Sequence, residues 1–418
     1  MVRAIPWALP ILRTLTAVAL VAATPCARAI EPGRTIAPEQ AKEIESLVLP
    51  GVADAARRGM RLEVVEPRKV LWRRAYTEAT EKYAGQVKLG PKGELQNYVA
   101  GLPFANVDRN DPQAGLKLMW NYTFGPWIAD DARSWGWDWQ IGSLTTGQPM
   151  TVEAQEHGDL ERAKYLRLAG RTEVPPLPTL PGGDAGVFAK EILGVSMPLF
   201  VTLQRSGPIL TYYYLDLREP ETWWYVEAER KVRRLLPQTR YETAGGMIVD
   251  LNTQWGFSGP LGSYGFRLVG EQTMLGVLHA RRYPAEWCPG GGDFAACDVW
   301  EERPVYVIEA TAKKPYDIYS KRILALDRQA WVIVASDLYD RQDRLWKTFL
   351  NFWSYQPDAR GADSQERPYL PAATCIDLIQ NRAHRWRLPG TRPLADTVAI
   401  NEGLIDKDFV PGVLERAR

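Results

Sequence analysis

Between residues 304 and 355 the chain passes through four apolar stretches separated by very short polar connections. They are 304–312 (PVYVIEATA), 319–327 (YSKRILALD), 331–339 (WVIVASDLY) and 344–355 (RLWKTFLNFWSY). The connections Asp327-Arg328-Gln329 and Asp340-Arg341-Gln342-Asp343 have hairpin length, and strands joined this tightly run antiparallel. An antiparallel meander is therefore built into the chain. Several of its strands are apolar on both faces. Trp331, Ile333 and Ala335 alternate with Val332 and Val334, while Leu345, Phe349, Trp353 and Tyr355 oppose Trp346, Leu350 and Phe352. A sheet wetted on one side alternates cleanly between apolar and polar. This one is expected to be covered on both faces, or to enclose something on one.

The β character extends upstream. Residues 209–217 (ILTYYYLDL) and 222–228 (TWWYVEA) lead through Glu229-Arg230 into 231–236 (KVRRLL), the pattern of a hairpin. Strands are also predicted at 62–66, 68–76, 265–272 and 275–283. In 135–144, Trp135, Trp137 and Trp139 recur at the period of a strand face. Helical spacing is predicted at 38–48, where Pro50-Gly51 should end it, at 114–124, and at 153–170 around Leu160, Leu166 and Leu168. Residues 77–88 fit either a strand or a helix. The segment 174–183 (VPPLPTLPGG), with four prolines and two glycines, is the best candidate for an internal boundary or a long crossing loop.

The first 29 residues have the pattern of a targeting segment. Arg3 and Arg13 flank an apolar run, Leu15 to Ala23, and Ala27-Arg28-Ala29 is a small-x-small cleavage site. The run of about nine residues is far shorter than the roughly 20 a spanning helix needs. Pro25 stands where lipidation at Cys26 would want a small residue. The expected product begins at Ile30 and occupies the periplasm as a single domain over 30–418. Removing residues 1–29 takes three of the 51 Lys+Arg and none of the 50 Asp+Glu, leaving 48 against 50 and a net charge of −2. That balance excludes the broad basic field of a general nucleic-acid binder.

Familiar catalytic motifs fail one at a time. Gly256-Phe257-Ser258-Gly259 begins a nucleophile elbow but meets Pro260 where a glycine is needed. Gly290-Gly291-Gly292 lacks the Lys-Ser/Thr of a phosphate loop, and Asp108-Arg109-Asn110-Asp111 has the wrong register for a calcium loop. His157, His279 and His384 show no metal-ligand spacing. No metal and no cofactor is expected. Glu309 and Asp337 lie in otherwise apolar strands and are candidate acid/base groups, although cross-strand ion pairs with Arg322 or Lys321 explain them more plainly.

With Cys26 removed, Cys288, Cys297 and Cys375 remain. Cys288 and Cys297 bracket a flexible Pro-Gly-Gly-Gly loop in an exported chain, where a disulfide is allowed. Closing a ring of about ten residues contributes roughly 2–3 kcal/mol in the chain-entropy account. Cys375 reads as a small core residue.

The segments 77–104 (TEATEKYAGQVKLGPKGELQNYVAGLPF), 115–122 (GLKLMWNY), 287–309 (WCPGGGDFAACDVWEERPVYVIE) and 316–347 (YDIYSKRILALDRQAWVIVASDLYDRQDRLWK) resemble bacterial domain-of-unknown-function family 1329. That family is grouped with the outer-membrane lipoprotein-sorting superfamily of LolA and LolB, and the similarity runs from about Arg61 to Pro389. The resemblance implies a mainly β fold: a strongly curved antiparallel sheet, or half-barrel, whose apolar concave side is partly closed by helices and loops. It implies no reaction and no catalytic residues.

A half-barrel accounts for strands that are apolar on both faces. Burying an acyl chain of about 14 methylenes at ~0.8 kcal/mol each gives a gross ~11 kcal/mol. Micromolar binding needs about 8 kcal/mol, so an apolar wall alone suffices. The expected function is a carrier for a lipid, lipoprotein or other hydrophobic molecule, with an inner-membrane transporter or an outer-membrane component as partner. The alternatives are an enzyme acting on a hydrophobic substrate and a scaffold of an envelope export complex. The wall is expected to hold Tyr212, Tyr214, Trp224, Trp331, Phe349 and Trp353. A one-residue slip in register would exchange them for Tyr213, Trp223, Trp346 and Phe352.

Overall fold

The computed structural model describes residues 30–157, 161–182, 186–194, 207–243, 247–357 and 366–415; the targeting segment expected over 1–29 lies outside them. The described residues form a mainly β fold of two large, mostly antiparallel sheets, and the larger is an open, curved half-barrel.

The larger sheet has eleven strands. From one edge they run Thr35–Ile36, Leu62–Val65, Val299–Ala312, Lys321–Asp327, Ile333–Tyr339, Leu345–Pro357, Glu366–Asp377, Arg382–Arg387, Asp138–Ser143 and Thr151–Glu156, with Tyr264–Gly276 also paired to Val299–Ala312. Leu62–Val65 meets Val299–Ala312 in parallel; the meander and its neighbours are antiparallel. Register shifts at Leu268/Gly270, Ala325/Leu326, Leu338/Tyr339 and Phe352/Ser354 bend the strands, as bulges do.

The meander is present at the predicted positions, with one correction that moves a candidate residue. The strand predicted from 331 starts at Ile333. Trp331 has φ +55° and sits at the end of a turn, its N–H donating to the Asp327 carbonyl at 3.0 Å. The Asp327 carboxylate accepts the N–H groups of Gln329 and Ala330 and so closes the turn.

The ion pairs differ as well. Ile323 stands opposite Asp337 and Arg322 opposite Leu338, so Arg322 and Asp337 point to different faces. Arg322 pairs with Asp317 and Lys321 with Asp343. Glu309 does make a cross-strand pair, but with Arg267 on the strand's other side, at 3.1 Å.

One face of this sheet is covered by the N-terminal segment. Val52, Ala55 and Ala56 of helix Pro50–Arg58 pack with Val305, Val307, Leu350 and Phe352. Pro50 starts this helix instead of stopping the previous one. Proline is tolerated at the first helical position, where its missing N–H has no partner to lose. The earlier helical segment is a short 3-10 helix, Pro38–Ile44.

The second sheet has seven antiparallel strands in the order Lys231–Arg234, Glu221–Val226, Ile209–Tyr214, Val187–Leu193, Glu161–Arg167, Asp131–Trp135 and Val398–Ile400. Two of these strands correct the expected helix at 153–170: Thr151–Glu156 belongs to the large sheet and Glu161–Arg167 to the small one. Leu166 and Leu168 are two residues apart, a strand period that charges at helical intervals obscured. The proline-rich segment 174–183 joins neighbouring strands of this one sheet, Glu161–Arg167 and Val187–Leu193.

The chain crosses between sheets at the tryptophan cluster. Trp135 ends a strand of the small sheet and Trp139 lies in the large one, so the three rings share no face. Residues 68–76, read as a strand, are irregular until helix Arg74–Tyr83, which buries Tyr76 and Thr80 one turn apart. Residues 265–272 lie within one strand, Tyr264–Gly276, which reaches only the first two residues of the predicted 275–283. Helix Ala114–Thr123 lies between the two sheets, and its Leu118 and Trp120 share a core with Phe188 of the small sheet and Ile308, Leu324 and Leu326 of the large one.

Candidate functional site

Where the sheets face each other they leave a cavity of about 290 Å³. Helix Ala114–Thr123 contributes Trp120 and Tyr122, and the following turn contributes Trp127. Trp255 and Phe257 come from a loop, Tyr165, Glu191 and Tyr213 from the small sheet, and Trp353 from the large sheet.

The polar atoms of three of these aromatics are held by backbone carbonyls. Tyr122 Oη donates to the Phe257 carbonyl at 2.8 Å, Trp127 Nε1 to Tyr122 at 3.1 Å, and Trp353 Nε1 to Ile333 at 2.9 Å. These three present ring faces and edges to the cavity. Trp127 packs on Tyr122 and edge-on to Trp353, with both centroid separations 5.5 Å. Such contacts fix ring orientation as well as burying area.

Two buried polar residues of the large sheet position the loop that carries Trp255 and Phe257. Asn351 Nδ2 donates to the Trp255 carbonyl at 2.8 Å, and Ser336 Oγ to the Gly256 carbonyl at 3.0 Å. Gly256 has φ +88°, and a Cβ there would lie 2.8 Å from Ile333 Cγ2. Only glycine lets the loop lie this close to the sheet.

Of the six expected wall residues, Trp353 lines the cavity and Tyr214 borders it. Tyr212 and Tyr214 lie on the small sheet's other face, in a cluster closed by Phe409 and Leu414 of the C-terminal segment, and Tyr212 Oη donates to the Phe409 carbonyl. Trp224 stands opposite Ile209 and therefore shares a face with Tyr213, not with Tyr212, but it is outside the cavity lining. Phe349 is fully buried against Trp386, and Trp331 packs beside Tyr306. In the slipped-register set, Tyr213 lines the cavity. Trp223 contacts Tyr212 on the outer face, Phe352 belongs to the core under helix Pro50–Arg58, and Trp346 donates to Asp377. The strands thus supply only part of the wall. Trp120, Tyr122, Trp127, Trp255 and Phe257 supply much of the rest, and no strand period marks them.

The other candidates lie elsewhere. Asp337 and Glu309 are absent from the lining. Ser258 lines the cavity, but its hydroxyl donates to the Leu251 carbonyl at 2.8 Å, and none of the three histidines is in the wall. His279 pairs with Glu301 at 2.7 Å, and His384 is buried. Cys288 and Cys297 form a disulfide away from the cavity. Cys375 is free and buried, and burial pushes its thiol up to about 12. Among the described residues no His, Cys, Asp and Glu group has the arrangement of a metal site, and no helix is long and apolar enough to cross a membrane.

No curated protein matches the sequence. Several solved structures are similar at low identity. A domain from Vibrio parahaemolyticus described as an outer membrane lipoprotein-sorting protein aligns with a TM-score of 0.47 and 15% identity, covering 73% of this chain and 100% of that one. A DUF1329 family protein from Desulfovibrio piger gives a TM-score of 0.45 and 16% identity over the same shares. The LolA superfamily protein NE2245 from Nitrosomonas europaea gives 0.35 and 12%, covering 68% of this chain and 91% of that one. The family model of DUF1329, a protein family of unknown function, matches residues 35–414, and the chain belongs to that family.

Proposed function

We propose that this protein is an exported periplasmic carrier that holds a hydrophobic molecule in the cavity between its two sheets. The observation that carries this reading is the mainly apolar aromatic wall, in which Tyr122, Trp127 and Trp353 turn their polar atoms onto backbone carbonyls. The volume narrows the cargo. About 290 Å³ is at the small end of ligand pockets. It suits one acyl chain or one compact ring system better than the several chains of a lipoprotein anchor. Export rests on the sequence of residues 1–29, with the mature domain beginning at Ile30. An enzymatic reading loses Glu309 and Asp337, since neither lines the cavity.

Native mass spectrometry and solvent extraction of protein purified from its own periplasm test the reading. A hydrophobic molecule at near one-to-one stoichiometry is expected. Protein that emerges ligand-free and also fails to take up an apolar fluorescent probe would overturn it and leave the scaffold role.

A further inference from the structure

Among the described residues, Glu191 is the one carboxylate in the cavity wall. Three cationic residues also border the cavity, but their charges belong to the other side of the small sheet. Arg133 alternates with Ala132 and Ser134 and pairs with Glu402. Lys164 lies between Ala163 and Tyr165, in step with Leu166 of the outer-face cluster. Arg218 pairs with Asp216 at 3.0 Å and sits over the ring of Tyr214. Glu191 has the opposite parity: its neighbours Lys190 and Ile192 face outward, Lys190 pairing with Asp406. Glu191 is enclosed by protein and keeps its partial accessibility through the cavity.

The carboxylate is held on one oxygen and open on the other. Tyr213 Oη donates to Oε2 at 2.6 Å, and among the described residues nothing donates to Oε1. Behind this pair, Arg240 is fixed by the hydroxyls of Thr211 and Thr222 and by Asn252 Oδ1, and its charge favours the ionised Glu191. Burial works the other way and raises the Glu191 pKa; the hydrogen bond from Tyr213 and the Arg240 charge oppose it. The rings of Tyr165, Tyr213 and Tyr122 line the same space.

Resting on the carrier reading, we infer that Glu191 selects the cargo: an apolar molecule whose single polar group donates a hydrogen bond, an alcohol or an amine. Ionised, the form that alkaline pH favours, the carboxyl only accepts, so a donor satisfies the open oxygen. An acid of the same skeleton would set two like charges together in an apolar space. An ester would leave the oxygen unsatisfied.

The test is displacement of an apolar fluorescent probe from the full exported chain at pH 8 by dodecanol, dodecylamine, dodecanoate and methyl dodecanoate. The alcohol and the amine are expected to bind roughly 10- to 100-fold better than the acid and the ester, the range of one hydrogen bond to a charged group. Glu191→Gln, which keeps the shape and an acceptor, should admit dodecanoate and lose the preference for the amine. Glu191→Leu should reduce the alcohol to the level of the ester. A wild type that binds all four equally, or a selectivity unchanged in Glu191→Gln, overturns the inference while the carrier reading stands. Folded protein that binds neither probe nor ligands overturns both. Preference for the amine alone or the alcohol alone identifies which donor the site takes, and either supports the assignment.

Discussion

Asp337 Oδ2 accepts a hydrogen bond from the backbone N–H of Gly51 at 2.9 Å, across a sequence separation of 286 residues. The large sheet thereby caps the N-terminus of helix Pro50–Arg58, whose preceding residue, Leu49, has no side-chain acceptor. The second oxygen, Oδ1, accepts from Thr348 Oγ1 at 2.8 Å. A Cβ on Gly51 would lie 2.4 Å from both Asp337 Oδ1 and Thr348 Cβ. The contact therefore requires glycine.

Gly51→Ala is expected to lose roughly 2–4 kcal/mol of stability, combining overpacking with disruption of a buried hydrogen bond to a carboxylate. Urea denaturation measures it. A change within error would mean that the helix docks without this cap.

The same carboxylate makes stability depend on pH. Burial is the largest influence on Asp337 and raises its pKa to about 6; the bonds from Gly51 and Thr348 pull the other way. An acid whose folded pKa lies above its unfolded value binds its proton first in the native state. Its burial therefore weakens the fold above pH 6, and that penalty is relieved as pH falls through 6 towards 4. Asp337→Asn should remove about 2 kcal/mol of this acid-side gain. Denaturation of both proteins at pH 7.5 and pH 4 checks it; parallel pH profiles would refute the assignment.

His384 acts in the opposite sense over the same range. Burial alone pushes its pKa down to about 3, between the rings of Trp139 and Trp386 at 5.8 and 4.8 Å. The native ring stays neutral while the unfolded chain takes up a proton below about 6.5, so stability is lost as pH falls from there towards 3. Nδ1 has no hydrogen-bond partner, which lets an apolar side chain replace the ring. His384→Leu should resist acid better than the wild type, by roughly 3 kcal/mol at pH 4 relative to pH 7.5. An unchanged acid slope would show that the ring protonates in place.

What the sequence revealed follows from where period and connection length carry information. Strands Lys321–Asp327 to Leu345–Pro357 were legible because short polar turns leave an antiparallel pair no alternative. Side-chain direction was harder, because bulges at Ala325/Leu326 and Leu338/Tyr339 shift the register that alternation assumes. Trp331 was misassigned for a related reason: a left-handed turn residue looks apolar and strand-like in sequence. Trp127 and Trp255 reach the cavity from non-periodic segments pinned by remote groups such as Asn351. No local pattern encodes that pairing. Glu191 was hidden because its role depends on which face of Val187–Leu193 meets the second sheet.

The Ile30 backbone nitrogen donates to Glu302 Oε1 at 2.7 Å, and the Ile30 side chain is buried in the core beneath the large sheet. Cleavage after Ala29 would turn that amide into an ammonium facing a carboxylate. Protein starting at Ile30 is expected to be more stable than the same chain with an acetylated N-terminus by roughly 1 kcal/mol, and Glu302→Gln should erase the difference. Equal stability with and without the free amine would detach export processing from the fold.

The cavity itself is tested by contrasting two aromatics. Trp353 is one of the expected wall residues, but it is only 3% exposed, so its removal also damages packing. Trp127 is half-buried in the wall and packs against Tyr122 and Trp353. Phe349, fully buried against Trp386, is a core residue outside the lining. Trp127→Ala should weaken uptake of an apolar probe at least tenfold, equivalent to about 1.4 kcal/mol, with a melting temperature only slightly lowered. Phe349→Ala should lose about 3–5 kcal/mol of stability and leave the affinity of the folded fraction unchanged. The two readouts separate because a wall residue has open space where a core residue has packing partners. If Trp127→Ala binds the probe as the wild type does, the cavity is not where the cargo sits.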